Sequence, residues 1–287
     1  MNGFYNVVKP IGWSSSDLVI KLRGILRRAT GEKVKIGHLG TLDPQATGVL
    51  GVAVGSATKL FDFFLTKTKT YIATCVLGKE TDTLDSVGKI IREEQVPEIS
   101  EERIVETLSK FLGEIEQVPP RFSAKSVGGV RAYRMAIKGE DPQLKPCKVT
   151  IYSINLLDRI SNDSFRFSVE CSGGTYIRSL CRDIGKELGC PAFMGALIRV
   201  QNGMMRLEDA VTLDAIEKDI FAGFTSLECF GNSLKRTDFS EDLRIKVENG
   251  VKQSVDVEGL TAVYIGGVFY GIGIGFNGSL KMIARDL

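Results

Sequence analysis

The sequence predicts an α+β protein that ends in a small all-β module. Over residues 1–230, segments of alternating apolar and polar residues take turns with segments whose apolar residues recur at helical spacing. From about Asn232 the composition changes, and residues 250–278 combine eight glycines with valines, isoleucines and aromatic residues. With 287 residues and 43% hydrophobic content, the chain can bury a sizeable core. We therefore expect a larger domain over residues 1–232 and a smaller one over residues 233–287.

The patterns in residues 1–117 predict a series of strands and helices. A strand over residues 4–10 ends at Pro10, and Ser14 can cap a helix whose apolar stripe runs from Leu18 to Leu26. The segments that follow are typical of a buried strand at 49–55, a helix at 57–65, a strand at 69–78, a polar turn at 81–86, a strand at 87–91 and an amphipathic helix at 101–111.

Residues 118–150 differ from the rest of the chain. They contain four prolines, three glycines and seven basic residues, and only residues 133–137 suggest a short helix. A long segment with so little core material is typical of a chain region that becomes ordered on a ligand. We interpret it as a basic, mobile thumb that grips a nucleic acid, with these candidate contacts: Arg121, Lys125, Arg131 and Arg134.

Beyond the thumb, the patterns predict two strands, a helix, a strand and a helix. The strands cover residues 148–158 and 165–171, and the pair Gly173-Gly174 leads into a helix over residues 177–188. A glycine pair before a helix N-terminus can seat an anion, although one pair is a weak signal. The apolar run at 194–200 is typical of a strand, and residues 213–220 of a short helix.

Composition and charge narrow the functional classes. No apolar run reaches the roughly 18 residues of a membrane span, and the N-terminus lacks the features of a signal peptide, so we expect a cytoplasmic protein. Six cysteines without a C-x-x-C pair, and one histidine, offer no zinc spacing and indicate reduced structural thiols. Basic residues outnumber acidic ones six to one in residues 21–35 and seven to two in residues 118–150. Such segregation is typical of a polyanion-binding surface, although either segment alone is also compatible with a solvated helix face.

The stretch from Gly37 to Gly48 is the strongest candidate for a reactive site. It holds the sole histidine, His38, and an Asp43-Pro44 step between the basic segment and a buried strand. A residue before proline is pushed out of helical geometry, so this turn would fix where the carboxylate points. Taken alone, an Asp-Pro turn is more often structural, because aspartate opens turns by bonding its own backbone. Both interpretations stay open at this point.

The ordered motifs along the chain resemble the bacterial TruB-type tRNA pseudouridine synthases. The matching residues are Val7 to Pro10 with Gly12, Gly37 to Gly48, Ala57 to Lys59, Lys69 to Tyr71, Leu77-Gly78 with Thr81 to Thr83 and Asp85, Pro119-Pro120 with Phe122 to Ala124, Gly129 with Arg131 to Tyr133, and Gly174 to Arg178. The resemblance implies the pseudouridine synthase fold, with a mixed, largely antiparallel central sheet and flanking helices. By position and composition, the C-terminal module resembles the small PUA-type RNA-binding domain of that family.

The resemblance also implies an activity. The substrate would be uridine 55 in the T loop of tRNA, whose uracil is detached from the ribose, rotated and re-attached through carbon 5. The reaction needs no metal, cofactor or energy source. The enzyme would act on the T stem-loop as a monomer, without a protein partner.

Residue roles follow from the same resemblance. Asp43 would be the nucleophile, attacking either the sugar or the uracil ring, or an ion-stabilising carboxylate, and Arg178 would pair with it. Tyr71 would stack on the flipped base and take a sugar proton. Tyr176 and Leu197 would be walls around the base. His38 would fill the space left by the flipped nucleotide or contact its neighbours, and Lys59 and Asp85 would be supports.

Three departures from the family pattern accompany these matches. Gly173 stands where the family has a lysine, Ile198 where it has an arginine, and Gln45 where an apolar residue is common. Alternatives to the enzyme hypothesis are a non-catalytic tRNA-binding or chaperone protein that keeps the fold, and a carboxylate glycosidase, which normally needs a second acidic residue. A guide-RNA-directed enzyme is a third variant, and the complete thumb favours standalone action.

Overall fold

The computed structural model describes residues 1–65, 67–251 and 253–286. In chain order its strands are β1 (Gly3–Lys9), β2 (Ile36–His38), β3 (Ala46–Val54), β4 (Lys69–Leu77), β5 (Lys79–Thr81), β6 (Ile90–Glu93), β7 (Gly113–Gln117), β8 (Ser126–Val127), β9 (Val130–Arg131), β10 (Cys147–Ser161), β11 (Ser164–Cys171), β12 (Ala192–Asn202), β13 (Met205–Arg206), β14 (Phe224–Ser226), β15 (Lys235–Phe239), β16 (Gln253–Ser254), β17 (Gly259–Ile265), β18 (Val268–Phe276) and β19 (Ser279–Arg285). Its α-helices are α1 (Ser15–Thr30), α2 (Phe61–Leu65), α3 (Glu101–Ser109), α4 (Ala132–Ile137), α5 (Ile177–Leu188), α6 (Leu213–Lys218), α7 (Leu227–Gly231) and α8 (Arg244–Glu248). Short 3-10 helices span Gly55–Leu60, Leu207–Asp209 and Glu241–Leu243.

One large mixed sheet forms the centre of the molecule. Its main strand order is β14-β1-β3-β12-β4-β11-β10-β7, with β2 paired to β3 and β13 paired to β12. Neighbouring strands run antiparallel, except that β12 runs parallel to β3. This confirms the expected mixed, largely antiparallel sheet. A second sheet has the order β15-β17-β18-β19-β16.

Local sequence signals account for the two helices nearest the site. Helix α1 begins with a capping box, in which Ser14 accepts from the backbone of Asp17 while the Asp17 carboxylate accepts from the backbone of Ser14. It ends at Gly31, whose left-handed φ of 73° is easy for glycine. Helix α5 spans the predicted residues and buries its apolar stripe, but its N-cap residue, Tyr176, supplies no side-chain cap.

The two faces of the large sheet pack against different partners. Because side chains alternate along a strand, Tyr5 enters the main core with α1, α3 and α5, whereas Phe4 points to the other face. There Phe4 packs against Phe64 and Phe230, in a cluster that continues into the second sheet through Ala262, Ile272 and Ala284. The second sheet therefore shares apolar contacts with the large one, and the expected domain boundary at residues 232 and 233 stays a prediction.

Some elements differ from the sequence-based expectation. The strand expected at 87–91 lies at β6 (Ile90–Glu93), because Asp82 and Asp85 accept from the backbone of Lys89 and Val87 and hold those residues in a turn. The C-terminal module also contains a helix, α8, whose only buried residue is Val247. A five-residue helix with one buried side chain leaves no periodic pattern to detect.

Candidate active site

A cavity of about 260 Å³ lies where β3, β4 and β12 meet. The pairing register of the strands brings the walls of the cavity together, because Arg199 of β12 lies opposite both Tyr71 of β4 and Gly48 of β3. The remaining walls come from the central loop, the thumb and the start of α5. The lining residues are Gly40 to Asp43, Leu65, Lys69, Tyr71, Phe122 to Ala124, Gly174 to Arg178, Leu197 and Arg199.

The turn that carries Asp43 is tied to α1. The hydroxyl of Ser15, in the first turn of α1, donates to the carbonyl of Leu42 at 3.0 Å and accepts from its N–H at 2.8 Å. The carbonyl of Pro44 accepts from the N–H of Gly12 at 2.8 Å and from the buried Lys9 ammonium at 3.3 Å. The chain on both sides of the carboxylate is therefore fixed, while the Asp43 side chain stays 32% exposed toward the cavity side of the turn.

Asp43 and Arg178 form a close ion pair. Nε of Arg178 lies 2.8 Å from Oδ2 of Asp43, and the arginine side chain is only 6% exposed. The Nε–H bond does not point at that oxygen, so the contact is an ion pair rather than a directed hydrogen bond. The other guanidinium nitrogens donate to the carbonyls of Thr83 and Phe122, each at 3.0 Å. Arg178 thus joins the Asp43 turn to the polar turn and to the thumb.

Tyr71, Tyr176 and Leu197 line the cavity. Burial raises the pKa of Tyr71, and the neighbouring Arg199 acts in the opposite direction. Burial also raises the pKa of Tyr176, against a lowering contribution from the hydroxyl of Ser123 in the thumb. Leu197 is 5% exposed and pairs with Ala46 of β3 and Ala73 of β4. Desolvation by burial is thus the main influence on both tyrosine hydroxyls.

The predicted supporting residues lie farther from the cavity. Asp85 is buried behind Arg178, with Oδ2 3.8 Å from Nη1 of that arginine, and it accepts from the hydroxyl of Thr83 at 2.6 Å. His38 does not line the cavity, because β2 pairs it with Val52 near the distant end of β3. Burial and the Arg199 charge lower the pKa of His38. Lys59 is exposed on the 3-10 helix after β3 and is also absent from the cavity wall.

The four thumb cations are exposed, and three of them have partners within the thumb. Arg121 pairs with Asp141 at 3.1 Å, and Arg131 donates to the carbonyl of Ala124 at 2.5 Å. Arg134 contacts the hydroxyl of Tyr133 at 3.2 Å, and Lys125 is exposed. The thumb begins at the cavity wall, since Phe122 to Ala124 line it.

Two buried cations of the site were not singled out from the sequence. Arg199 is fully buried and donates to the carbonyls of Val49, Thr41 and Gly40 at 2.8, 3.2 and 3.1 Å. Lys69 is 6% exposed and donates to the carbonyls of Leu65 and Lys67. Burial, followed by the charge of Arg199, lowers the pKa of Lys69 to about 8. Lys69 stood inside a quoted motif and Arg199 directly follows Ile198, yet nothing local marked either residue as buried.

At two glycines near the cavity, a side chain would clash with the neighbouring backbone. Gly48 has a φ of 106°, and a Cβ there would lie 2.2 Å from the carbonyl oxygen of Arg199. At Gly173, where the family has a lysine, a Cβ would lie 2.0 Å from the carbonyl oxygen of Leu65. In this backbone Gly173 therefore permits the turn before α5 to contact the end of α2, and a lysine there requires a different path.

Comparison with protein families agrees with this geometry. Residues 27–177, more than half of the chain, match the family described as TruB family pseudouridylate synthase, N-terminal domain. The chain belongs to the TruB family. Residues 178–224 match the C-terminal domain described for tRNA pseudouridylate synthase B.

Similar proteins cover nearly the whole chain. The tRNA pseudouridine synthase B of Clostridium perfringens (strain ATCC 13124) is 40% identical, across 95% of each chain. The tRNA pseudouridine synthase B of Caldanaerobacter subterraneus subsp. tengcongensis is 38% identical, across 96% of this chain and 95% of the relative. This member of the TruB family is thus a pseudouridine synthase that isomerises uridine in tRNA.

Solved structures show the same fold. A chain of an H/ACA RNP bound to a substrate RNA containing 2'-deoxyuridine superimposes with a TM-score of 0.71 at 22% identity, covering 99% of this chain and 85% of that chain. A chain of a Cbf5-Nop10-Gar1 complex gives the same TM-score at 25% identity, covering 99% of this chain and 83% of that chain.

Within residues 1–65, 67–251 and 253–286, no helix is both long and apolar enough to cross a membrane.

Proposed function

We propose that this enzyme converts uridine 55 in the T loop of tRNA into pseudouridine, with Asp43 as the nucleophile. The observation that supports this most is the Asp43–Arg178 ion pair in a cavity of about 260 Å³, a space suited to one flipped pyrimidine nucleotide. The pair places a carboxylate on a fixed turn beside a buried cation that orients it, as a nucleophile in a base pocket requires.

The chemistry breaks one bond and makes another. The bond between N1 of uracil and C1' of ribose breaks, the ring rotates, and C5 bonds to C1'. The proton on C5 is released to solvent and N1 takes up a proton, so the product is an isomer of the substrate. Asp43 attacks either C1' of the sugar or the uracil ring, and both routes use the same carboxylate. The Tyr71 ring stacks on the base, while Tyr176 and Leu197 enclose the ring and keep it from leaving.

RNA binding extends beyond the cavity. The exposed cations of the thumb, Arg121, Lys125, Arg131 and Arg134, contact phosphates of the T stem-loop, and Lys59 and His38 contact RNA outside the base pocket. Asp85 orients Arg178 from behind. Residues 233–287 form a PUA-like RNA-binding domain. The enzyme acts in the cytoplasm as a monomer, without a guide RNA or a protein partner.

The experiment uses purified protein and one transcribed tRNA. After incubation, carbodiimide adducts that survive alkali mark pseudouridine as stops in primer extension. We expect one new stop, at position 55, and none in a matched transcript with cytidine at that position. A stop elsewhere would refute the assignment of position 55. Tight binding without any stop would favour the second candidate, a tRNA-binding or chaperone protein that retains the fold.

A further inference from the structure

Hydrogen bonds connect the beginning of the thumb to the first turn of α5. The hydroxyl of Ser179 donates to the carbonyl of Val118 at 2.8 Å, and Arg178 donates to the carbonyl of Phe122 at 3.0 Å. The backbone N–H of Tyr176 donates to Oε1 of Gln117 at 2.7 Å. Only the third contact uses the side chain of Gln117, the residue before the thumb. In the other two contacts, backbone carbonyls of the thumb are the acceptors.

Gln117 supplies the cap that α5 lacks. The N–H groups at the beginning of a helix have no partner within the helix, and Tyr176 provides no side-chain cap of its own. Gln117 is the last residue of β7 and lies opposite Cys147 of β10, so a regular strand holds its position. Its carboxamide reaches the N-terminus of α5 from there, in the middle of the run from Gly174 to Arg178 that lines the cavity.

The burial of Gln117 indicates that the acceptor oxygen is what the site requires. The residue is 1% exposed, and among the described residues Nε2 has no hydrogen-bond partner. An unpaired buried amide nitrogen costs about 1–3 kcal/mol. An apolar side chain of similar size would avoid this cost but would leave the N–H of Tyr176 unpaired. The fold thus tolerates an unpaired donor in order to keep an oxygen at this position.

We propose that Gln117 is a positioning residue for the isomerisation. By fixing the backbone of Tyr176, it sets the phase of the first turn of α5 and therefore the direction in which Arg178 reaches Asp43. This inference rests on the proposed roles of Asp43 and Arg178. A displacement of about 1 Å in a catalytic group can cost on the order of 100-fold in rate, so a modest rotation of this turn is sufficient to matter.

Two variants separate the acceptor from the rest of the side chain. Gln117→Asn keeps the amide but withdraws the oxygen by one carbon, whereas Gln117→Glu keeps an acceptor at the same reach, next to a helix N-terminus that favours negative charge. The matched control is Gln95→Asn, at an exposed position outside the cavity and the thumb. Turnover of a T stem-loop RNA gives kcat and KM for each, and circular dichroism verifies the fold.

We expect Gln117→Asn to lower kcat by about tenfold or more with KM within about twofold of wild type, because the RNA-binding surface is untouched. We expect Gln117→Glu to stay within about threefold of wild type in kcat. The proposal is overturned if Gln117→Asn matches Gln95→Asn, if the loss lies in KM alone, or if both Gln117 variants are equally slow. If the wild-type protein binds this RNA without turnover, the proposed function fails instead, and the two failures are distinct.

Discussion

Arg199 is the residue whose loss should most disturb the Asp43 loop without touching Asp43 itself. Its guanidinium is fully buried and donates to three backbone carbonyls, those of Val49, Thr41 and Gly40. Two of these carbonyls belong to the loop that leads to Asp43, and the third belongs to β3. The arginine therefore connects the loop to two strands of the sheet. In Arg199→Met the three carbonyls lose this donor, and the contacts at Val49 and Gly40 are the buried ones.

The expected cost can be estimated from these contacts. A hydrogen bond to a charged group contributes about 1.5–3 kcal/mol, which would give at least about 4.5 kcal/mol for the set. Removing the guanidinium also relieves the desolvation of a buried charge, which offsets part of the loss. Methionine fills most of the vacated volume, so the cavity contribution is small. We expect the free energy of unfolding to fall by about 4 kcal/mol, close to the range of about 3–5 kcal/mol for breaking a buried charged network.

Urea unfolding measures this directly. The single tryptophan, Trp13, lies beside the Asp43 turn, where its carbonyl accepts from Lys9 at 2.6 Å, so its fluorescence reports on this region. Arg92→Met makes the same chemical change at an exposed salt bridge with Glu94 and should stay within about 0.5 kcal/mol of wild type. If Arg199→Met unfolds at the same urea concentration as Arg92→Met, the loop is held by something else and the reasoning is refuted.

Three further predictions concern other parts of the molecule. Burial lowers the pKa of Lys69 from 10.5 to about 8, so between these values the unfolded chain binds more protons than the folded chain, and the free energy of unfolding rises with pH. Urea midpoints at about pH 8 and 9.5 should rise less in Lys69→Met than in wild type, and an equal rise would contradict the assignment. Lys125→Gln should weaken tRNA binding and reduce the slope of log affinity against log salt by about 0.7–0.9, and an unchanged slope would remove Lys125 from the phosphate contacts. Phe230→Ala, at a 2% exposed ring 5.1 Å from Phe4, should cost about 3–5 kcal/mol in urea unfolding, whereas a cost below about 1 kcal/mol would mean that this cluster does not bind the second sheet to the first.

Local patterns in the sequence were sufficient to predict the helix and the strand that carry Arg178 and Tyr71. Helix α5 was expected at residues 177–188 and spans Ile177–Leu188, because its apolar stripe is unbroken and glycine follows it. Strand β4 alternates buried and half-buried residues over its whole length, as period-two patterning requires. The short pieces β2, β8, β9 and α8 have too few buried residues to leave such a pattern.

The residues that surround Asp43 in space come from distant parts of the chain, so local sequence patterns could not identify them. Only the family resemblance joined Asp43 to Tyr71 and Arg178, and the cavity contains all three. Arg199 escaped notice because its burial depends on the register of β12 against β3 and β4, which no local pattern specifies. His38 attracted attention as the sole histidine, yet strand pairing with β3 places it outside the cavity wall. Rarity in a sequence is thus a poorer guide than position within a motif.

The thumb illustrates the same limit for charge. Counting basic residues predicted a polyanion surface, but it could not show that Arg121 is paired with Asp141 across the base of the segment. Sequence separation of the two residues hides this contact, since the intervening chain must fold back to make it. Arg121 must therefore leave or share Asp141 before it can contact a phosphate, which the residue count does not show.

The central claim is that the carboxylate of Asp43 performs the isomerisation. Its most direct test is tritium release from a T stem-loop RNA labelled at carbon 5 of uridine, measured for wild type and Asp43→Asn, with RNA affinity determined in parallel. We predict release by wild type and none by Asp43→Asn, with affinity within about threefold, because asparagine keeps the shape of the side chain and removes only the nucleophile. Release by Asp43→Asn at a rate near that of wild type would contradict the account.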